Sequence, residues 1–292
     1  MPLRSTTQWR HAIPWVLLGI STLALLILAV SHFREVAPRT QPLRFAVALP
    51  ESTVVSDLSL SPDGRYLAIS AVVAGKRSLW MRPLASQDAH PLPGAEDGRF
   101  PFWSPDGRLI GFFANGKLKK IALAGGPAQP ICDAQSGRGG AWNRDGVIVF
   151  APSSGSPLYR VNASGGVPTP VTSGPSDRYP IFLPDGNHFA YASMDGKKPG
   201  IYIGSLDSEN PLYLLPDLSN LAYAPSAQHE SGYLLFIRAR TLMAQPIDTK
   251  RIRTDGDAIP VAEHVKRITD LQNFPFSAAA NGILTWVDAG RF

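Results

Sequence analysis

Three arginines recur at a fixed distance from three aspartates. Arg99, Arg138 and Arg178 each stand seven residues before Asp106, Asp145 and Asp185, in the contexts GRFPFW, GRGGAW and DRYPIF. A guanidinium is always charged and presents its N–H donors as a rigid fork. It therefore suits a carboxylate or phosphate bidentately. Three such groups at equivalent places in repeated units would converge on one anion or acidic peptide end. The competing reading is local: each arginine pairs with a nearby acid, Asp97, Asp133 or Asp177. The preceding repeat carries Ser56 at the equivalent position, so the set is incomplete there.

Other chemistry is thin. The six histidines are scattered, with no His-Glu-x-x-His spacing, and no Gly-x-Ser-x-Gly elbow occurs. Asp63, Asp106, Asp145 and Asp185 offer one carboxylate per repeat. Neighbouring repeats hold them too far apart for a calcium site, which needs several oxygens at about 2.4 Å. Local turn bonding is their expected role. Cys132 is the only cysteine, so neither an intrachain disulfide nor a thiolate metal site can form. No cofactor and no catalytic residue is expected. A hydrolase or lyase assembled from loops would need paired carboxylates or a His–acid pair, and no spacing points to one.

The elements that must position these arginines are short strands. Gly (26) and Pro (27) are frequent along the 292 residues, which fits many turns better than long helices. A turn followed by an apolar run recurs: SPDGRYLAIS (61–70), SPDGRLIGFF (104–113), NRDGVIVFAP (143–152) and LPDGNHFAYA (183–192). ESGYLLFI (230–237) and AANGILTW (279–286) are degenerate copies. The marker glycines 64, 107, 146, 186, 232 and 282 are spaced by 43, 39, 40, 46 and 50. Pro presets φ, Asp bonds its local backbone, and Gly takes the left-handed conformation, so each copy is a hairpin. A second marker, Gly-Gly at 125–126 and 165–166, keeps the same phase. Four short strands per 40–45 residues make one propeller blade. The expected fold is all-β, a propeller of about six blades with the last incomplete. The strand LRFAVAL (43–49) is a candidate to complete that last blade by joining the two chain ends; the alternative is a chain that stops mid-domain.

Residues 12–31 form an uncharged apolar run of 20, enough to cross roughly 30 Å of hydrocarbon as a helix. The expected organisation is a short tail (1–11), a transmembrane helix (12–31), a linker (32–42) and the propeller (43–292). A cleaved signal peptide is the alternative, but its apolar core should be shorter. Arginines flank both ends, so charge does not orient the span. The net charge is +5, but basic pairs such as Lys119–Lys120 are isolated, so no nucleic-acid partner is expected.

The W/F-S-P-D-G turns resemble the TolB-like propeller repeat. The stretch 101–152, with FLPDGNHFAY (182–191) and GYLLFIRARTLMAQPID (232–248), is similar to the extracytoplasmic propeller of bacterial eukaryote-like serine/threonine kinases. The resemblance spans nearly all of 43–287. It implies a single-pass protein of the cytoplasmic (inner) membrane, with the propeller on the extracytoplasmic or periplasmic side. It also implies a sensor or scaffold role, binding protein, peptide or a small anion, with a kinase at the membrane as a possible partner. No G-x-G-x-x-G, V-A-I-K, H-R-D or D-F-G motif is present, so the chain is not expected to transfer phosphate. A fragment of a split kinase gene remains the alternative.

Overall fold

The structure, a computed structural model, describes residues 15, 17–26, 28, 53–194, 198–226, 231–268 and 273–290. The chain separates into two compact units, Met1–Ala46 and Val47–Phe292. In the first unit the described residues 15, 17–26 and 28 are helical. Among the described residues no helix is long and apolar enough to cross a membrane. The rest of the span expected at 12–31, and the strand expected at 43–49, lie outside the described residues.

The second unit is a ring of antiparallel sheets built in chain order. Blade one holds β1 (Val54–Leu60), β2 (Tyr66–Val73), β3 (Lys76–Pro83) and β4 (His90–Glu96). Blade two holds β5 (Arg99–Trp103), β6 (Leu109–Ala114), β7 (Lys117–Ala122) and β8 (Gln129–Asp133). Blade three is β9 (Gly140–Trp142), β10 (Val147–Phe150), β11 (Tyr159–Asn162) and β12 (Thr169–Pro170). Blade four is β13 (Asp177–Phe182), β14 (His188–Ser193), β15 (Gly200–Ser205) and β16 (Ser208–Leu215). Blade five is β17 (Ala222–Pro225), β18 (Ser231–Arg238) and β19 (Thr241–Asp248), with a split outer strand. β20 (Arg253–Thr254) pairs with one end of β19 and β21 (Ile259–Ala262) with the other. A sixth unit has two strands, β22 (Phe276–Ala278) and β23 (Leu284–Trp286).

The turns follow from side chains within them. Asp63 Oδ1 accepts from Ser61 Oγ at 2.6 Å and from the Arg65 amide at 3.0 Å. Asp106 does the same with Ser104 and Arg108. In blade three the role passes to Asn143, whose Oδ1 accepts from the amides of Asp145 and Val147. Gly232 departs from the expected marker role: it lies inside β18 with no left-handed φ. There a Cβ would strike the Tyr223 ring and hydroxyl, so its bareness serves packing rather than turning.

The core lies between blades. Adjacent residues on a strand face opposite ways, so Phe112 packs with Leu79, Met81 and Ile110 toward blade one. Phe113 packs with Ile148 and Phe150 toward blade three. The second strands of blades two to five bury Phe112, Phe150, Phe189 and Phe236 completely, each contributing about 2–3 kcal/mol of transfer free energy.

The ring closes. β1, β5, β9, β13, β17 and β22 lie side by side, and β22 returns to β1. The Leu60 amide donates to Ser277 Oγ at 3.0 Å, and the Ala280 amide to the Pro62 carbonyl. Ala279 joins the Leu58, Leu60 and Ile69 cluster, with Ile283 and Val287 beside it. Five blades carry full sheets. The sixth, expected to be incomplete, shows two strands among the described residues, and β22, paired with β23, bridges β17 and β1.

Candidate functional site at one mouth of the channel

The six inner strands enclose a cavity of about 560 Å³. Arg99 opens β5, Arg138 stands two residues before β9, and Arg178 is the second residue of β13. All three therefore occupy the same end of the channel, as their spacing predicts. They do not line the cavity itself; the lining begins one residue later, at Phe100, Gly139 and Tyr179. The arginines form a rim above it.

A backbone irregularity makes that division. The pairing register breaks between Arg99 and Phe102 and again between Arg178 and Ile181. At each break the residue after the arginine is left-handed, with φ of 49° at Phe100 and 56° at Tyr179, and Gly139 after Arg138 has φ of 91° without a break in pairing. Bulky residues rarely adopt this conformation, and strain of this kind concentrates at functional sites. The bulge leaves both aromatic side chains on the cavity wall, with ring centroids 6.0 Å apart. Glycine at 139 leaves room for the Tyr179 backbone beside it.

The local pairing alternative fails. Among the described residues no ion pair joins Arg99, Arg138 or Arg178 to an acid. Asp133 pairs with Lys117 at 2.6 Å, and Asp177 accepts from Thr172 Oγ1 at 2.6 Å. Arg138 Nη1 donates to the carbonyls of Ser136 and Gly137. Arg178 Nη2 donates to the Ser154 carbonyl and Ser176 Oγ. These bonds fix the two guanidiniums without neutralising them, and the buried Nε of each has no protein partner.

A fourth arginine was not legible from spacing. Arg77, on β3, donates from Nη1 to Ser56 Oγ at 2.7 Å. It thus fills the blade-one gap from a different strand. Burial lowers its pKa, and the Arg99 charge lowers it further against the pull of Asp97. Arg138 is likewise lowered by burial; Arg178 and Arg99 add to this, and Tyr179 opposes it. The four guanidiniums form one positive arc over blades one to four.

The other half of the channel is clasped by amides. Asn220 Nδ2 donates to the Phe274 carbonyl at 2.8 Å, and the Phe274 amide donates back to Asn220 Oδ1 at 2.9 Å. Asn273 Nδ2 donates to the Ser56 carbonyl at 3.2 Å. Asp57, one residue along β1, lines the cavity, and its Oδ1 accepts from the Leu58 amide at 2.9 Å. Burial pushes its pKa up to about 7, although hydrogen bonds from Leu58 and Asn273 act the other way.

Cys132 is half-buried, and burial pushes its thiol up to about 11, which makes it a poor nucleophile. Among the described residues no cluster of three His, Cys, Asp or Glu could hold a metal ion. The turn carboxylates are committed to local bonds, except that Asp145 yields its role to Asn143.

No family model matches the chain, and no curated protein matches it. Solved structures do. TolB from Acinetobacter baumannii superposes with a TM-score of 0.58 at 14% identity, over 74% of this chain and 56% of that one. This chain thus spans just over half the length of that protein. TolB from Agrobacterium tumefaciens gives 0.58 at 15% identity, over 80% and 90%. The domain has the fold of a TolB-like β-propeller. A TolB-like propeller does not by itself fix an activity. An oligogalacturonate lyase in complex with manganese matches with a TM-score of 0.52 at 13% identity, over 82% and 79%. At these identities the likeness concerns the fold alone.

Proposed function

We propose that this TolB-like propeller is a binding module rather than an enzyme, and that its rim arginines take an anionic group of a peptide, protein or small ligand. The observation that carries this reading is the arc of Arg99, Arg138 and Arg178 above an apolar cavity, with no acid paired to any of them among the described residues. Like charges held together cost free energy that a bound carboxylate or phosphate offsets. Titrating the purified full chain with citrate or an acidic peptide tests it. The variant with all three arginines changed to alanine is expected to bind at least tenfold more weakly, and equal binding by both proteins overturns the reading.

The propeller is proposed to sit on the extracytoplasmic side of the cytoplasmic membrane, anchored by residues 12–31, in the manner of the sensor half of a receptor kinase. Support comes from the helical residues. Trp15, Leu17, Leu18, Ile20, Leu23, Leu25, Leu26 and Leu28 are all exposed. Ser21 and Thr22 turn their hydroxyls back onto helix carbonyls, as suits an apolar surrounding. A kinase at the same membrane is the proposed partner. Protease added to spheroplasts is expected to degrade the propeller; full protection would place it inside and refute the orientation.

A further inference from the structure

Beneath the rim the cavity holds a single carboxyl side chain. Its described lining is proline, aliphatic, small and aromatic residues with a few neutral polar groups, and Asp57 alone is an acid or a base. No lysine, arginine or histidine lines the cavity to neutralise it. Asp57 occupies the place in blade one that Phe100, Gly139 and Tyr179 occupy in blades two to four, because Ser56 matches the three arginines in phase. It therefore lies about one strand residue, roughly 3.3 Å, deeper than the rim. Carboxylates are rarely kept in apolar cavities without a charged partner, and among the described residues Asp57 has only the neutral donors Leu58 and Asn273. Here one sits just below an arc of four guanidiniums, in a space large enough for a small ligand.

From this placement we infer that the channel binds a dipolar ligand, whose anionic group rests on the rim arginines and whose cationic nitrogen reaches Asp57. The inference rests on the anion-binding reading of the rim. Phe100 and Tyr179, the aromatic walls level with Asp57, suit the apolar spacer of such a molecule, and Tyr179 faces Asp57 closely enough to feel its charge. The ligand class is an amino-carboxylic acid or a short peptide bearing a free amine.

The ionisable groups around Asp57 leave it as the one that titrates near neutrality. Tyr179 on β13 is raised by burial, and Arg178 and Arg138 lie near that phenol. Arg77 on β3 touches Ser56, and Arg99 on β5 lies near Arg77. Arginine and tyrosine keep one charge state between about pH 6 and 8. An ammonium group favours the ionised carboxylate, so the preference for an amine grows as pH rises through the Asp57 transition.

The test compares γ-aminobutyrate and ε-aminocaproate with butyrate and caproate, by calorimetric titration of the full chain. At about pH 8 at least one amino acid is expected to bind roughly tenfold tighter than its matching plain carboxylate, an advantage that shrinks toward pH 6. Asp57→Asn keeps the shape of the side chain. It is expected to abolish the advantage while leaving plain carboxylate binding intact. The triple arginine-to-alanine variant is expected to lose both classes. If plain carboxylates bind but amines gain nothing, or if the advantage survives in Asp57→Asn, the dipolar inference fails alone. If the wild-type chain binds neither class, the rim reading fails with it.

Discussion

Replacing Asp57 by asparagine is expected to stabilise the propeller by about 2–4 kcal/mol at pH 8 and to change it little at pH 4. The cause is a carboxyl whose folded pKa, about 7, lies well above its ordinary value of 3.8. Such a group is neutral in both states below about pH 4, so full stability is present there. As pH rises toward the folded pKa, the unfolded chain loses its proton first, and stability falls until the folded carboxyl also ionises. Each unit of separation is worth about 1.4 kcal/mol, and contact with the open channel reduces the total. Asparagine has no proton to lose, so the slope vanishes. The turn carboxyls act in the opposite sense. Hydrogen bonds from Ser61 and from Ser104 lower Asp63 and Asp106; at Asp185 burial acts upward, but the bonds from His188 and Asn187 and the His188 charge together lower it. Their contribution is present above about pH 4 and lost in acid. The wild-type chain should therefore be most stable at mildly acid pH. Denaturant titrations of both proteins from pH 4 to 8, in detergent, measure the effect. A gap between them that does not widen with pH would rule out this account of Asp57.

The second large effect concerns ring closure. Asn220→Ala is expected to cost about 3–5 kcal/mol, because it leaves the amide and the carbonyl of Phe274 without their partner in a buried setting. Both residues are nearly enclosed, at 8% and 6% exposure, so water cannot replace the lost side chain at low cost. The loss should be local at first. Blade five would lose its hold on β22, and limited proteolysis should release the segment from about residue 263 onward before the first four blades yield. Asn281→Ala makes a control. That side chain also bridges the seam, donating to the Asp63 carbonyl at 3.0 Å, but it is exposed, so less than about 1 kcal/mol is expected. Comparable losses for the two variants would show that the seam has no special clasp at Asn220.

The features legible in the sequence are those fixed by short-range chemistry. The Pro-Asp-Gly turns bond within five residues, so their phase marked the blades and carried Arg99, Arg138 and Arg178 to one rim. Gly232 broke the rule because its requirement, space for Tyr223, is set across the sheet rather than along the chain. Arg77 was hidden for a similar reason: it reaches the rim from a third strand, out of phase with the repeat. Asp57 carried a faint signal, being the one acid at a position held elsewhere by Phe, Gly and Tyr. Its meaning depended on Ser56 as a register mark and on Asn273, which arrives 217 residues later.

That same distance has a bearing on how the protein is made. The bonds that close the ring join residues 217 and 218 positions apart. Blades one to five can each form as they emerge in turn, since their hairpins are local. The inner edge of β1, with Val55, Leu58 and Leu60, must wait for Ala279 and its neighbours. At about 5–20 residues per second the wait is roughly 10–40 s. Throughout that interval an apolar sheet face stands open to association with other chains. Nascent molecules should therefore depend on chaperones from the first blade until the last, with the hazard ending abruptly when the seam shuts.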